Sequence, residues 1–300
     1  MINGIINVYK EAGFTSHDVV AKLRGILKQR KIGHTGTLDP DATGVLPVCL
    51  GKGTKLCDML TNTDKTYEAV LELGISTDTQ DISGTVQRRC EVNVKEAEVI
   101  SCIESFVGEC MQIPPMYSAL KVNGKKLYEL AREGKEIKRE PRKVVFHEIE
   151  IIDISLPRVT LKVTCSKGTY IRTLCHDIGE QLGCGGCMKS LIRTKVGVFE
   201  IEDSRTLSEI EAIMQNGKLE ELIRTVDSMF LQFPAIATKA ECDGRIYNGN
   251  AFDVSHVDGE FDDKKESFRV YDSKGDFVGI YQYQAPQQRF KLVRMFRQSN

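Results

Sequence analysis

Apolar residues recur along the chain with two periods, and most elements can be read from them. Residues 2–8 form a short apolar run that predicts a first strand. A turn follows, and Thr15 with Asp18 three positions on matches a helix start. Val19, Val20, Leu23, Ile26 and Leu27 then fall at helical spacing. The Gly- and Thr-rich stretch 33–53 is too irregular for a helix or a strand throughout. Residues 66–75 place Tyr67, Ala69, Leu71 and Leu73 alternately with polar neighbours, which predicts a half-buried strand. A helix is expected over 94–106, strands over 144–154 and 158–166, and a helix over 171–182 ending at Gly183. Residues 206–215 and 219–223 read as helices closing a large domain. Beyond Pro234, short strand-like runs at 268–271 and 277–283 are divided by turns, among them Asn248-Gly249-Asn250. No internal repeat is evident. Strands with interspersed helices give an α+β class with a small β-rich module at the end.

Composition narrows this picture. The chain is 41% hydrophobic and 28% charged over 300 residues, as in globular proteins. No apolar run approaches the roughly 20 residues needed to cross a bilayer, so no membrane is expected and the cytoplasm is. Ten scattered cysteines suit reduced thiols. Only Cys184-Gly185-Gly186-Cys187 has ligand-like spacing, and no second such pair completes a zinc set, so it reads as a turn and no metal is expected. The net charge is −1, but it is unevenly spread. Residues 21–31 hold five basic and no acidic side chains, and 121–143 hold nine basic against four acidic. Local positive patches on a neutral chain suit an anionic ligand held on one face, and solvated helix faces would look the same.

Candidate chemistry centres on Gly33-His34-Thr35-Gly36-Thr37-Leu38-Asp39-Pro40. Gly36 and Gly44 permit unusual backbone conformations, and Pro40 fixes the chain after Asp39. A carboxylate on such a rigid loop can act as general base, nucleophile or metal ligand, or it can simply make a turn.

That run, continued by Ala42-Thr43-Gly44-Val45-Leu46-Pro47, resembles the signature of the TruB family of tRNA pseudouridine synthases. Four further stretches agree in order: Asp64-Lys65-Thr66-Tyr67, the run from Pro114 to Lys121, the run from Cys165 to Arg172, and Leu191-Ile192-Arg193-Thr194. The resemblance spans roughly residues 2 to 230. Asp41 stands where the family often has leucine.

The resemblance implies a pseudouridine-synthase fold over residues 1–230, with a central mixed, largely antiparallel sheet flanked by helices and loops. It also implies an RNA-clamping insertion at about 112–143 and a PUA-like RNA-binding module over 234–298. The implied activity isomerises uridine to pseudouridine at position 55 in the T-loop of tRNAs, by base flipping, without cofactor or protein partner and as a monomer. Asp39 would be the catalytic nucleophile, adding to the sugar C1′ or the base C6. Tyr67 would stack on the flipped base, with Tyr170, Arg172 and Leu191 lining the pocket and Arg172 pairing with Asp39. His34 would contact the RNA, and Lys55 would approach the active-site loop. Two alternatives are a guide-dependent ribonucleoprotein synthase, which expects partner-binding extensions and often a lysine-rich tail, and an RNA-folding protein without essential catalysis. The chain's last residues, Arg297-Gln298-Ser299-Asn300, show no lysine run, and Asp39, Tyr67 and Arg172 together argue against pure binding.

Overall fold

The computed structural model describes residues 1–122 and 124–297. Gln298, the last residue of the expected C-terminal module, lies outside the described residues. A ten-stranded sheet forms the body. Its strands are β1 (Gly4–Lys10), β2 (Ile32–His34), β3 (Thr43–Leu50), β4 (Lys65–Leu73) and β5 (Gly108–Gln112), then β6 (Arg142–Ser155), β7 (Arg158–Cys165), β8 (Gly186–Val196), β9 (Phe199–Glu200) and β10 (Ile223–Arg224). The spatial order is β10-β1-β3-β8-β4-β7-β6-β5, with β2 on β3 and β9 on β8. The pairings are antiparallel except β3 with β8, where Thr43 and Gly44 register with Ile192 and Arg193. The sheet is therefore mixed and largely antiparallel.

Helix α1 (Ser16–Ile26) begins as its sequence requires. The Asp18 N–H donates to Thr15 Oγ1 at 3.1 Å, and Asp18 Oδ2 accepts the Thr15 N–H at 2.8 Å. Helices α2 (Glu96–Glu104) and α4 (Ile171–Gln181) bury Val99, Ile103, Leu174 and Ile178 against β4, β6 and β7. The short α3 (Leu127–Arg132) lies in the basic insertion. On the far half of the sheet, α1 and α5 (Leu207–Gln215) cover Ile6, Val8, Leu46 and Val48. The opposite side chains of the same strands, Ile5, Val45 and Cys49, enter a different apolar cluster. Strands buried on both faces need no alternation, which is why β3 hid within an apparently irregular stretch.

Residues 219–223 depart from the expected helix. Leu219–Leu222 makes a single tight turn, and β10 then pairs with β1 (Ile5 to Arg224, Ile6 to Ile223). The edge of β1 offers main-chain partners, and satisfying them outweighs helix propensity in so short a segment.

A second, six-stranded sheet covers residues 235–295, with strands β11 (Ala235–Thr238), β12 (Phe252–Asp253), β13 (Val257–Asp258), β14 (Ser267–Tyr271), β15 (Phe277–Gln284) and β16 (Arg289–Met295) in the order β12-β16-β15-β14-β11-β13. Phe252, Phe268, Tyr281 and Phe290 fill its own core. Ile280 and Phe296 share a cluster with Phe230, Phe199 and Ile5 of the body, so the β-rich module is welded on through apolar contact.

Where β3 meets β8 the backbones nearly touch. Gly44 has φ +104°, and a Cβ added there would lie 2.2 Å from the Arg193 carbonyl oxygen. Gly44→Ala is expected to destabilise the fold by about 2–4 kcal/mol through backbone strain and overpacking. Urea unfolding measures this, and an unchanged midpoint would show that β8 can yield.

Candidate active site

Asp39 sits on the loop between β2 and β3, and three buried side chains fix that loop. Ser16, at the start of α1, accepts the Leu38 N–H through Oγ at 2.9 Å. Lys10, at the end of β1 and fully buried, donates through Nζ to the carbonyls of Glu11 (3.0 Å), Pro40 (2.8 Å) and Ala42 (2.5 Å). Burial pulls the Lys10 pKa down to about 8, against the attraction of Asp39 and Asp41. Arg193, on β8, donates to Val45 O at 2.7 Å and more loosely to Gly36 O and Thr37 O at 3.4 and 3.5 Å. The loop is held largely through its main-chain carbonyls and leaves the Asp39 carboxylate partly open to solvent.

The Asp39 carboxylate meets Arg172 edge to edge. Arg172 Nε lies 2.9 Å from Oδ2 and Nη2 lies 3.3 Å from Oδ1, a two-pronged pair. The arginine side chain is 5% exposed and the aspartate 41%, so the base of the pair is buried while the carboxylate faces the cleft. Arg172 is therefore a buried cation. Its remaining donors reach Thr79 O at 3.1 Å and Tyr117 O at 2.8 Å, and Asp81 Oδ2 lies 3.5 Å from Nη1. Asp81 is oriented through its other oxygen by the Thr79 hydroxyl (2.8 Å) and by the Ser83 N–H (3.0 Å) and hydroxyl (2.6 Å). Crowding pushes the Asp39 carboxyl above its ordinary value, Arg172 pulls it back, and Asp81 adds a smaller push upward.

Tyr67 projects from β4 beside this pair. It is 8% exposed, within a cluster that includes Leu38 and Leu191. Its phenol is pushed up to about 12 by burial, against the opposing pull of Arg193. Leu191 stands on β8 opposite Ala69, two residues along the strand from Tyr67, and so walls the same side. Tyr170 is the N-cap residue of α4, which places Arg172 in that helix's first turn. Gln112, at the end of β5, holds the Tyr170 main chain on both sides, accepting its N–H at 2.8 Å and donating to its carbonyl at 3.0 Å. Burial raises the Tyr170 phenol, and Ser118 beside it opposes the shift. His34 ends β2, with Nδ1 accepting the Gly36 N–H at 3.3 Å and its ring edge-on to His17. Burial, His17 and Arg193 all lower its pKa, which favours the neutral ring.

Asp39, Arg172, Tyr67, Tyr170, Leu191 and His34 thus gather around the Asp39 loop. Lys55 does not. Its Nζ donates to Met295 O at 2.9 Å and Arg297 O at 3.4 Å, tying the 3₁₀ turn after β3 to the C-terminal module. Those carbonyls offer a part-buried ammonium fixed acceptors, so the expected approach to the active-site loop is corrected. Cys184 and Cys187 are buried and free, and Gly183 and Gly185 supply the left-handed turn around them. Among the described residues, no group of three or more His, Cys, Asp or Glu could hold a metal. A cleft of about 540 Å³ lined by Asp64, Thr66, Thr164 and Lys195 contains none of the gathered residues. Thr66 and Tyr67 are consecutive on a strand and point to opposite faces, so that cleft lies behind the sheet.

Three residues escaped the sequence reading: Lys10, Asp81 and Arg193. Arg193 lay inside a quoted motif without a role, Lys10 looked like a turn lysine, and Asp81 carried no signal.

The fold is shared with chains of two solved assemblies. One is a chain of an H/ACA RNP bound to a substrate RNA containing 2'-deoxyuridine, with TM-score 0.71 and 25% identity, covering 99% of this chain and 86% of that one. A second is from a Cbf5-Nop10-Gar1 complex, with TM-score 0.71 and 27% identity, covering 99% and 85%. This mixed sheet with a single clamped carboxylate is that of a pseudouridylate-synthase catalytic domain. Residues 24–171 match the TruB family pseudouridylate synthase (N terminal domain), and residues 172–231 match the tRNA pseudouridylate synthase B C-terminal domain. The proteins named tRNA pseudouridine synthase B from Lachnoclostridium phytofermentans and Clostridium kluyveri are 54% and 45% identical, each over 98% of this chain and 100% of the relative. The chain belongs to the TruB family of pseudouridylate synthases.

The Asp39 carboxyl should titrate above the ordinary aspartate range. Arg172→Gln should raise it further by removing the cation that opposes burial, and Asp81→Asn should lower it by removing a like charge. Carbon NMR of labelled aspartate side chains reads all three, and shifts of opposite sign would refute this electrostatic account.

Proposed function

We propose that this chain is a cytoplasmic, monomeric enzyme that converts the uridine at position 55 in the T-loop of tRNA to pseudouridine, without cofactor or protein partner. The observation that carries this reading is the Asp39–Arg172 pair, with a carboxylate open to the cleft on a loop that cannot move away. The isomerisation breaks the N-glycosidic bond and rejoins the base through C5. It needs no redox change and no added group, only a residue that adds covalently to the nucleotide and surroundings that stabilise charge. Asp39 fits the first requirement and the buried cations around it fit the second. Full-length identity of 54% to a protein named tRNA pseudouridine synthase B favours tRNA as substrate, against 25–27% to chains of guide-dependent assemblies.

A base within folded RNA must be flipped out before it can react. Tyr67 then faces the base, Leu191 and Tyr170 line the pocket, and His34, neutral and at the loop's edge, contacts the RNA. The basic insertion supplies phosphate contacts, which give affinity without sequence information. The C-terminal module adds a further RNA surface.

Asp39→Asn should slow pseudouridine formation on a T-stem-loop transcript by at least about a thousandfold while RNA binding persists. Turnover near the wild-type rate would rule out the nucleophile.

The C-terminal module cannot be tested by cutting at Pro234, because that strips Ile280 and Phe296 from a shared core. Charge reversal of the exposed Arg289 and Lys291 on β16 avoids this. It should weaken binding of whole tRNA, most visibly at low salt, and leave turnover of a saturating minimal stem-loop intact. Unchanged affinity for whole tRNA would assign this face another task.

A further inference from the structure

Arg193 is 2% exposed, and its described partners are three main-chain carbonyls and no carboxylate. Burying a cation without an anion costs several kcal/mol, and two of the three bonds are long. A neutral donor such as glutamine could clamp the loop at less cost, so the charge calls for its own explanation.

The fold places Arg193 directly opposite Tyr67 across the β8–β4 pairing, with both side chains buried on the same face of the sheet. Arginine can only donate hydrogen bonds. A phenol oxygen facing it can only accept, so the phenol's own hydrogen is turned away from Arg193. Breaking the C1′–N1 bond leaves its electron pair on the uracil while the sugar carbon goes to Asp39. Addition of Asp39 at C6 would likewise push an electron pair into the ring. On either route the base becomes negative beside Tyr67, and no protein anion competes for Arg193.

We propose that Arg193 is a positioning residue that acts through Tyr67, aiming the phenolic hydrogen at the bound nucleotide and biasing the pocket for the negative charge the base acquires. This rests on the placement of Tyr67 against the flipped base. It assigns Arg193 a part in the chemistry beyond its hold on the loop.

A double-mutant cycle tests it, using single-turnover rates on a T-stem-loop transcript with the full chain. Arg193→Gln, which keeps donors but loses the charge, should slow the chemical step about ten- to a hundredfold with RNA affinity unchanged. Arg193→Lys, which keeps the charge, should lie much closer to wild type. In a Tyr67→Phe background, Arg193→Gln should cost little more, because the group it acts through is gone. Fully additive losses, or a Gln variant as fast as wild type, would overturn the proposal and leave Arg193 a loop clamp. If Arg193→Gln does not fold, as thermal melting would show, the cycle is run with Arg193→Lys, which keeps the charge and should stay within a few-fold of wild type. Any loss it shows must then vanish in the Tyr67→Phe background, and a loss that persists overturns the proposal. Wild-type turnover by Tyr67→Phe alone would also overturn the proposal, because phenylalanine keeps the ring against the base and lacks only the hydroxyl through which Arg193 acts. Wild-type turnover by Asp39→Asn would instead fail the reading on which the inference rests.

Discussion

The site depends on the saturation of one buried guanidinium. Arg172 has five N–H donors in a planar fork, and the fold directs them to Asp39, Asp81, Thr79 and Tyr117. A buried arginine short of partners would be costly, so these segments are held in one arrangement. They lie far apart in the chain: the β2–β3 loop, the turn after β4, the basic insertion and α4. Any change that frees one of them leaves a donor unpaired next to the reacting carboxylate. This explains why the pair tolerates only one geometry although Asp39 itself faces water.

Around the single open carboxylate the chain buries three cations, Lys10, Arg172 and Arg193. Two of them, Lys10 and Arg193, take main-chain carbonyls as their only described hydrogen-bond partners. The whole protein carries a net charge of −1, so this is a local concentration of positive charge and not a consequence of composition. Such a floor suits a polyanionic substrate and a reaction that places negative charge on a base, because preorganised charge need not rearrange as the reaction proceeds. Arg172 and Lys10 also keep the Asp39 pKa from rising as far as burial alone would take it.

Much of this was legible from residue order and some was not, for identifiable reasons. Alternation marked β4, so Tyr67 was placed on its strand correctly. The glycine at 183 ended α4, and the capping pair Thr15 and Asp18 started α1. Strand β3 left no period because both its faces are buried. Strand β8 left none because its register with β4 slips between Met188 and Ser190 and again between Arg193 and Lys195, moving side chains from one face to the other. With β8 unrecognised, Arg193 could not be set opposite Tyr67. Asp81 and Lys10 are ordinary residue types in ordinary turns. Their importance comes from through-space neighbours, Arg172 and the Pro40–Ala42 carbonyls, which nothing local encodes. The place expected for Lys55 came from the resemblance, and nothing near it in the chain encodes acceptors that lie some 240 residues away in the C-terminal module.

The insertion and the chemistry are one mechanical unit. Gln112 roots the insertion on the Tyr170 main chain, and Tyr117 takes the shorter of the two bonds made by Arg172 Nη2, 2.8 Å against 3.3 Å to Asp39. The segment that leads into the basic stretch 121–143 is therefore bonded to the same guanidinium as Asp39. Each acceptor takes one of the two Nη2 hydrogens, so a single guanidinium nitrogen joins the Tyr117 segment to the Asp39 loop. Freeing Tyr117 would therefore leave an N–H of a buried guanidinium unpaired beside Asp39, a cost that holds the two segments together.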